Sequence, residues 1–171
     1  SQNIKIIKSK EYDLRDISDV KKILKKNHYV IHLAAKVGGL NLRINRQAEF
    51  FYDNTIMAMN LIKIGYDVGI KKFIGIGSIC EYPDNLAVPF KEDRLWEGYP
   101  AEVTAPYGLA KKVMLMMSQF YNDQYNFDGI HLLLTNFYGP GDNFNPLSSH
   151  VIPSLIYKIH QAKIKNINEI Y

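Results

Sequence analysis

Tyr107 and Lys111 stand four residues apart in Pro106-Tyr107-Gly108-Leu109-Ala110-Lys111-Lys112, a spacing that sets a phenol and an ammonium on one face of a helix. Free tyrosine titrates near ~10, and a cation held a few ångströms away favours the phenolate, moving the group toward acid/base work at neutral pH. The lysine tunes and the tyrosine carries the proton. Many ordinary helix surfaces show the same spacing, so neighbouring segments must supply the rest of the chemistry. Ser78 and Cys80 follow an apolar run and offer a hydroxyl and a thiol. Taken singly, Cys80 reads as a packed small hydrophobe and His150 as an ordinary residue at the start of a helix.

These groups need a scaffold. With 171 residues, 47% of them hydrophobic and 22% charged, the chain is suited to one domain with a proper core rather than to disorder. The net charge is only +4, and the lysines are scattered apart from Lys21-Lys22-Ile23-Leu24-Lys25-Lys26. That cluster reads as the solvated face of a short helix whose apolar side is Ile17, Val20, Ile23 and Leu24, so no nucleic-acid partner is implied. A single cysteine excludes an intrachain disulfide, gives no metal cluster and suits a reducing cytoplasm. No run of about eighteen apolar residues occurs, and Ser1-Gln2-Asn3-Ile4-Lys5 lacks the apolar core of a signal peptide. A soluble cytoplasmic protein with no membrane partner is the expectation.

Ile4-Lys5-Ile6-Ile7 is predicted to be a short strand, followed by a helix of about ten residues capped near Asp16 or Ser18. Tyr29 to Ala34 is an apolar strand ending in small residues and a Gly38-Gly39 turn. From about Asn45 to Asp67 the apolar set Phe50, Phe51, Ile56, Met57, Met59, Leu61, Ile62 and Ile64 suits a long helix buried on more than one side, with Gly65 and Gly69 letting it end. Lys72 to Gly77 is the next strand. The irregular segment from Ser78 to Ala105 is long enough to be either functional or disordered, and Tyr82, Trp96 and Tyr99 argue against disorder. A helix with Pro106 in its first turn and Thr104 as N-cap is expected to run to about Tyr125. Ile130 to Thr135 is a further apolar strand, and an amphipathic helix is expected from about Ser149 to Lys163. Helices alternating with all-apolar strands describe a doubly wound α/β fold around a parallel sheet, whose sites lie at the C-terminal strand edge.

Four stretches in order then carry a resemblance: Ala34-Ala35-Lys36-Val37-Gly38-Gly39, Gly77-Ser78-Ile79-Cys80-Glu81-Tyr82-Pro83, Pro106 to Lys111, and Asn136-Phe137-Tyr138-Gly139-Pro140-Gly141-Asp142-Asn143-Phe144 running on to Ser149-His150-Val151-Ile152-Pro153. Together they resemble the extended short-chain dehydrogenase/reductase family, Rossmann-like NAD(P)-dependent enzymes acting on nucleotide sugars. The match is nearest the branch that epimerises C3 and C5 of a GDP-4-keto-6-deoxy-hexose and reduces C4 with NADPH, giving GDP-L-fucose or a close analogue.

The resemblance implies roles. Tyr107 would donate a proton to the C4 oxygen, Lys111 would lower its pKa and hold the nicotinamide ribose, and Ser78 would hydrogen-bond the same oxygen. Cys80 and His150 would be the base and acid that invert C3 and C5. Asp13 and Leu14 would flank the adenine, Leu33, Ala34 and Ala35 would pass under the cofactor, and Ile76 and Gly77 would lead into Ser78 beside it. Leu134, Asn136 and Phe137 would border nicotinamide and substrate, with His150 near both. Lys158 stands where the family usually offers an arginine to the diphosphate. Glu81 departs from the usual apolar residue, and either solvent or the sugar is open to it. His28, His32, His131 and His160 carry no matched motif and are read as structural.

The glycine fingerprint G-x-x-G-x-x-G is absent from the sequence, so the 171 residues are expected to be part of one Rossmann-like domain of a longer protein, with substrate-binding elements starting at about 140–171. Two other readings remain at this level: a GDP-mannose 3,5-epimerase or related epimerase using bound NAD, and a catalytically silent module of the same fold. Family habit implies a homodimer built on the helices at about 45 to 67 and 107 to 125.

Overall fold

A computed structural model describes residues 3–38, 44–146 and 148–170; Ser1, Gln2 and Gly39, which figure in the readings above, lie outside them. Three parallel strands form the sheet: β1 (Tyr29–His32), β2 (Lys72–Ile76) and β3 (Gly129–Leu132), in that spatial order. Tyr29 pairs with Lys72 and His32 with Gly75, while Phe73 pairs with Gly129 and Ile76 with Leu132. Helix α1 (Ile17–Ile23) precedes β1, α2 (Gln47–Val68) and α3 (Ala105–Tyr125) connect the strands, and α4 (Val151–Lys165) follows. Parallel strands joined through helices are the α/β architecture that the apolar runs predict.

Local chemistry sets the boundaries. Asp16 caps α1, accepting the Ser18 N–H at 2.7 Å, so the helix is seven residues long rather than ten. Its Val20, Ile23 and neighbouring Leu24 are buried as expected, but Ile17 is half exposed at the solvent end. Gly69 ends α2 in the left-handed region at φ 73. Gly65 does not end it: it lies inside the helix, where a Cβ would meet Ile70 Cδ1 at 2.8 Å. Thr104 occupies the N-cap of α3 without capping it, because its hydroxyl donates to the Ala101 carbonyl instead. Asn126 closes that helix in the left-handed region.

Phe73 is the hub of the core. It is fully buried on β2, packs against Phe127 and His32, and shares a cluster with Leu61 and Ile62 of α2 and Met114 of α3. Burial of such a side chain contributes roughly 1.5–3 kcal/mol. Helices α2 and α3 pack along one another and on β2, covering one face of the sheet. On the opposite face Ile31, Ile130 and Leu132 remain exposed.

The strand predicted at Ile4-Ile7 does not form. Ile4 and Ile6 are exposed and only Ile7 reaches the core, because the segment has no pairing strand among the described residues. Apolar alternation without a ladder to receive its N–H and C=O groups is insufficient for a strand.

His32 ends β1 inside the core. Burial, with the Lys111 ammonium adding to it, pushes the imidazole down to about 3. An unfolded histidine titrates at ~6.5, so the unfolded chain binds the extra proton first, and this term lowers stability as pH falls from ~6.5 toward 3. Denaturant titrations of the full-length protein are expected to show a shallower loss of stability over that window in His32→Leu than in wild type. Parallel slopes would contradict the assignment.

Candidate active site

The end of β2 runs straight into a tight turn. Gly77 and Ile79 donate their N–H groups to the Leu132 and Leu134 carbonyls at 2.9 and 3.2 Å, so the register of β2 on β3 continues past the strand and fixes where Ser78 starts. A 3-10 turn, Ile79–Glu81, follows and is closed by a capping box. Ser78 Oγ accepts the Cys80 N–H at 3.2 Å, and Glu81 Oε1 accepts the Ser78 N–H at 2.7 Å. With that acceptor lobe engaged, the Ser78 hydroxyl still carries a proton to donate.

The turn is seated on the first turn of α3. A Cβ on Gly108 would collide with the Cys80 carbonyl oxygen, so glycine is what lets the two backbones approach. Tyr107 precedes Gly108 and Lys111 lies one helical turn on, its Nζ 5.5 Å from the centre of the Tyr107 ring. Ser78, Cys80, Tyr107 and Lys111 are therefore brought to one place at the C-terminal edge of the sheet. Lys111 is only 4% exposed. Burial pushes its ammonium down to about 8, against the pull of the Glu81 carboxylate, which raises it. At neutral pH it remains a cation beside a phenol, the electrostatic arrangement that favours phenolate.

Glu81 faces neither solvent nor an open pocket. It is fully buried, and His131 Nε2 on β3 lies 3.1 Å from each of its oxygens. The adjacent Lys112 donates to the Leu95 carbonyl at 2.7 Å and lies over Trp96, tying the long irregular segment to α3. A hollow of about 300 Å³ opens beside Pro106 and Leu109, with Phe51 and Tyr99 on its wall.

A second cleft, of about 270 Å³, lies across the end of β1 and is lined by Asp13, Leu14, Arg15, Ala34, Ala35 and Asp53 among others. Arg15 forks onto Asp13, with bonds of 2.7 to 3.1 Å, and reaches Asp53 at 3.3 Å, while Lys36 bonds Asp53 at 2.6 Å. Asp53 sits low in spite of its burial, because Lys36 and Arg15 both hold its charged form. Arg15 and Asp13 are about half exposed, so their pair adds little stability. Its consequence is a guanidinium fixed at the rim.

Helix α2 holds both loops of this cleft. Asn60 donates to the Leu14 and Arg15 carbonyls, each at 3.0 Å, and Asn54 brackets Lys36 by accepting its N–H and donating to its C=O. Sequence reasoning passed over Arg15, Asp53, Asn54 and Asn60. The available signal was three polar residues on the buried side of an otherwise apolar helix, where unpartnered amides would be costly.

The remaining expected residues are dispersed. Ile76 and Leu134 are partly buried and Gly77 buried at the strand ends, whereas Leu33, Asn136 and Phe137 are exposed. His150 is the exposed N-cap of α4, and Lys158 is half-buried on the same helix. That helix packs extensively on no other described helix or strand. The structure does not draw these two into either cluster. On the chemistry of its donors, the Arg15 cleft and the Tyr107–Lys111 pair fit the dinucleotide implied by the resemblance: a size near one nucleoside half, a permanent cation, and a proton donor at the other end.

Comparison with known proteins places this arrangement. The NAD dependent epimerase/dehydratase family model matches residues 1–170. A GDP-L-fucose synthase of Sinorhizobium fredii is 42% identical over 158 residues, which is 91% of this chain and 50% of that protein. The NADP-bound GDP-L-fucose synthetase of Naegleria fowleri superposes with a TM-score of 0.85 at 36% identity, over 94% of this chain and 50% of its own. The NADP-bound GDP-mannoheptose C4 reductase of Campylobacter jejuni gives 0.88 at 32% identity, over 95% and 49%. The chain thus spans about half the length of each.

Burying the Lys111 ammonium has a measurable signature. Its folded pKa of about 8 lies below the free value of 10.5, so the cost is complete below about 8 and fades as pH rises toward 10.5. At neutral pH, Lys111→Met in the full-length protein is expected to raise unfolding free energy by on the order of 1–3 kcal/mol. The advantage should shrink as pH climbs through that window; a gap independent of pH would contradict it.

Proposed function

The chain belongs to the NAD dependent epimerase/dehydratase family, and on that premise we propose that the protein epimerises C3 and C5 of a GDP-4-keto-6-deoxy-hexose and reduces its C4 ketone with NADPH. The product is GDP-L-fucose or a close analogue. One observation carries the reading: the Ser78–Cys80 turn is seated against the first turn of the helix bearing Tyr107 and Lys111.

In the reduction, the Ser78 hydroxyl and the Tyr107 phenol bind the C4 oxygen, and Tyr107 gives it a proton. NADPH, when bound, supplies the hydride to C4. Lys111 stabilises the phenolate left behind and orients the nicotinamide ribose. In the preceding epimerisation, Cys80 removes protons from C3 and C5, which the C4 ketone acidifies, and His150 returns protons to the opposite face. Asp13 and Leu14 flank the adenine, Leu33, Ala34 and Ala35 pass under the cofactor, Ile76 and Gly77 lead into Ser78 beside it, and Leu134, Asn136 and Phe137 border nicotinamide and substrate. Lys158 pairs with the substrate diphosphate, and residues 140–171 begin the substrate-binding elements.

A seven-carbon GDP-4-keto sugar is the second reading, favoured by the likeness to a GDP-mannoheptose C4 reductase. The protein acts as a homodimer through the outer faces of α2 and α3, where Tyr52 and Phe120 are 63% and 59% exposed. No described helix is long and apolar enough to cross a membrane. A reducing cytoplasm keeps Cys80 a free thiol.

Incubation of the full-length protein with GDP-4-keto-6-deoxymannose and NADPH in deuterated water tests the scheme. Deuterium at C3 and C5 together with loss of reduced-cofactor absorbance is expected. Tyr107→Phe should keep the label and lose roughly 10²–10⁴-fold in reduction, while Cys80→Ala should lose the label. Reduction without label in wild type would remove Cys80 and His150 from the mechanism.

A further inference from the structure

The site contains a charge that the proposed reaction does not use. Glu81 is fully buried, and its partner His131 is nearly so. A buried carboxylate is costly to desolvate, and an apolar pair of similar volume often serves stability as well or better. The pair is also imperfect, since His131 Nδ1 is buried without a hydrogen-bond partner. It is closely built nonetheless. A Cβ on Gly77 would run into His131 Nε2 and come within 2.5 Å of Glu81 Oε1, so the strand end has room for the pair only as glycine.

Three contacts show where this carboxylate acts. Oε1 accepts the Ser78 N–H at 2.7 Å, and Glu81 donates its own N–H to the Ser78 carbonyl at 3.1 Å, closing the turn that carries Ser78 and Cys80. His131 Nε2 holds both oxygens from β3, which leaves the carboxylate one orientation. Its negative charge then acts on the helix opposite, raising the affinity of Lys111, and of Lys112 beside it, for their protons. A capping box normally starts a helix, yet this turn is only three residues long. What the box stabilises here is the placement of the turn itself.

We propose that Glu81, clamped by His131, is a positioning residue of the active site: its carboxylate fixes the Ser78–Cys80 turn against the first turn of the helix that bears Tyr107 and Lys111. The inference rests on the epimerase/reductase reading for its consequence, but the placement of the turn can be read without turnover. Beside Lys111 stand His32 at the end of β1, held neutral by burial, Tyr107 one turn back and Lys112 next in the chain.

Glu81→Gln keeps an acceptor for the Ser78 N–H and removes the charge; Glu81→Leu removes both. In full-length protein labelled with ¹³C-lysine, the Lys111 Cε resonance, assigned by its loss in Lys111→Met, reports its titration directly. Glu81→Gln is expected to move that titration down by roughly one pH unit or more, with a melting temperature close to wild type. The alkaline limb of kcat/KM should shift down in step. Alkylation of Cys80, followed on its own peptide by mass spectrometry, should change in rate in Glu81→Leu and much less in Glu81→Gln. An unchanged Cys80 alkylation rate in a folded Glu81→Leu protein would overturn the proposal. A changed rate in a protein that turns over no nucleotide sugar would instead leave it standing and reject the epimerase/reductase reading.

Discussion

Lys111 places a positive charge where water barely reaches, and the organisation of the site follows from the need to hold it there. A lysine on the outer face of α3 would be screened by solvent and would do little to a phenol one turn away. Buried between the turn after β2 and the end of β1, its field is concentrated on the few groups in contact with it. The same burial makes the ammonium expensive, which explains the company it keeps: a phenol one turn back, a histidine held neutral, and a carboxylate across the gap. The chemistry and the local instability have one origin.

The scaffold answers that need with backbone rather than side-chain flexibility. Glycines at 77 and 108 remove the Cβ atoms that would keep strand end, turn and helix apart, and the β2–β3 register carries on through Ile79 to Leu134. On the other side of β1, α2 works as a rail, its Asn54 and Asn60 gripping the carbonyls and amides of two separate loops. Side chains that line the cleft, such as Asp13 and Ala35, are placed by hydrogen bonds made several residues away. The cleft beside Arg15 and the Tyr107–Lys111 pair are thereby tied to one sheet edge, the usual location of sites in parallel α/β folds.

Much of this was legible in the sequence. Long apolar periodicities located α2 and α3 to within two residues or so, and the grouping of Ser78 with Tyr107 and Lys111 followed from strand ends and helical spacing, with Cys80 added only by the family resemblance. What escaped depended on partners far along the chain. Ile4 to Ile7 has a strand's composition but no ladder, which a local pattern cannot reveal. Glu81 looked like a surface or substrate-facing carboxylate because His131, its partner, lies fifty positions away. Asn54 and Asn60 were hidden for the same reason, their partners being backbone groups of loops that no helical pattern points to. Gly65 illustrates the converse, a residue with an obvious local meaning that tertiary packing against Ile70 replaced.

In the proposed reaction a phenol, a hydroxyl and a thiol converge on a single carbonyl beside a buried ammonium. A crystal structure of the full-length protein with NADPH and an unreactive 4-keto nucleotide-sugar analogue tests it most directly. The C4 oxygen should lie within about 3.2 Å of both the Tyr107 phenol oxygen and Ser78 Oγ, with the Cys80 sulfur facing the C3 and C5 hydrogens. A sugar ring bound elsewhere, or a Tyr107 hydroxyl turned into the core, would contradict it.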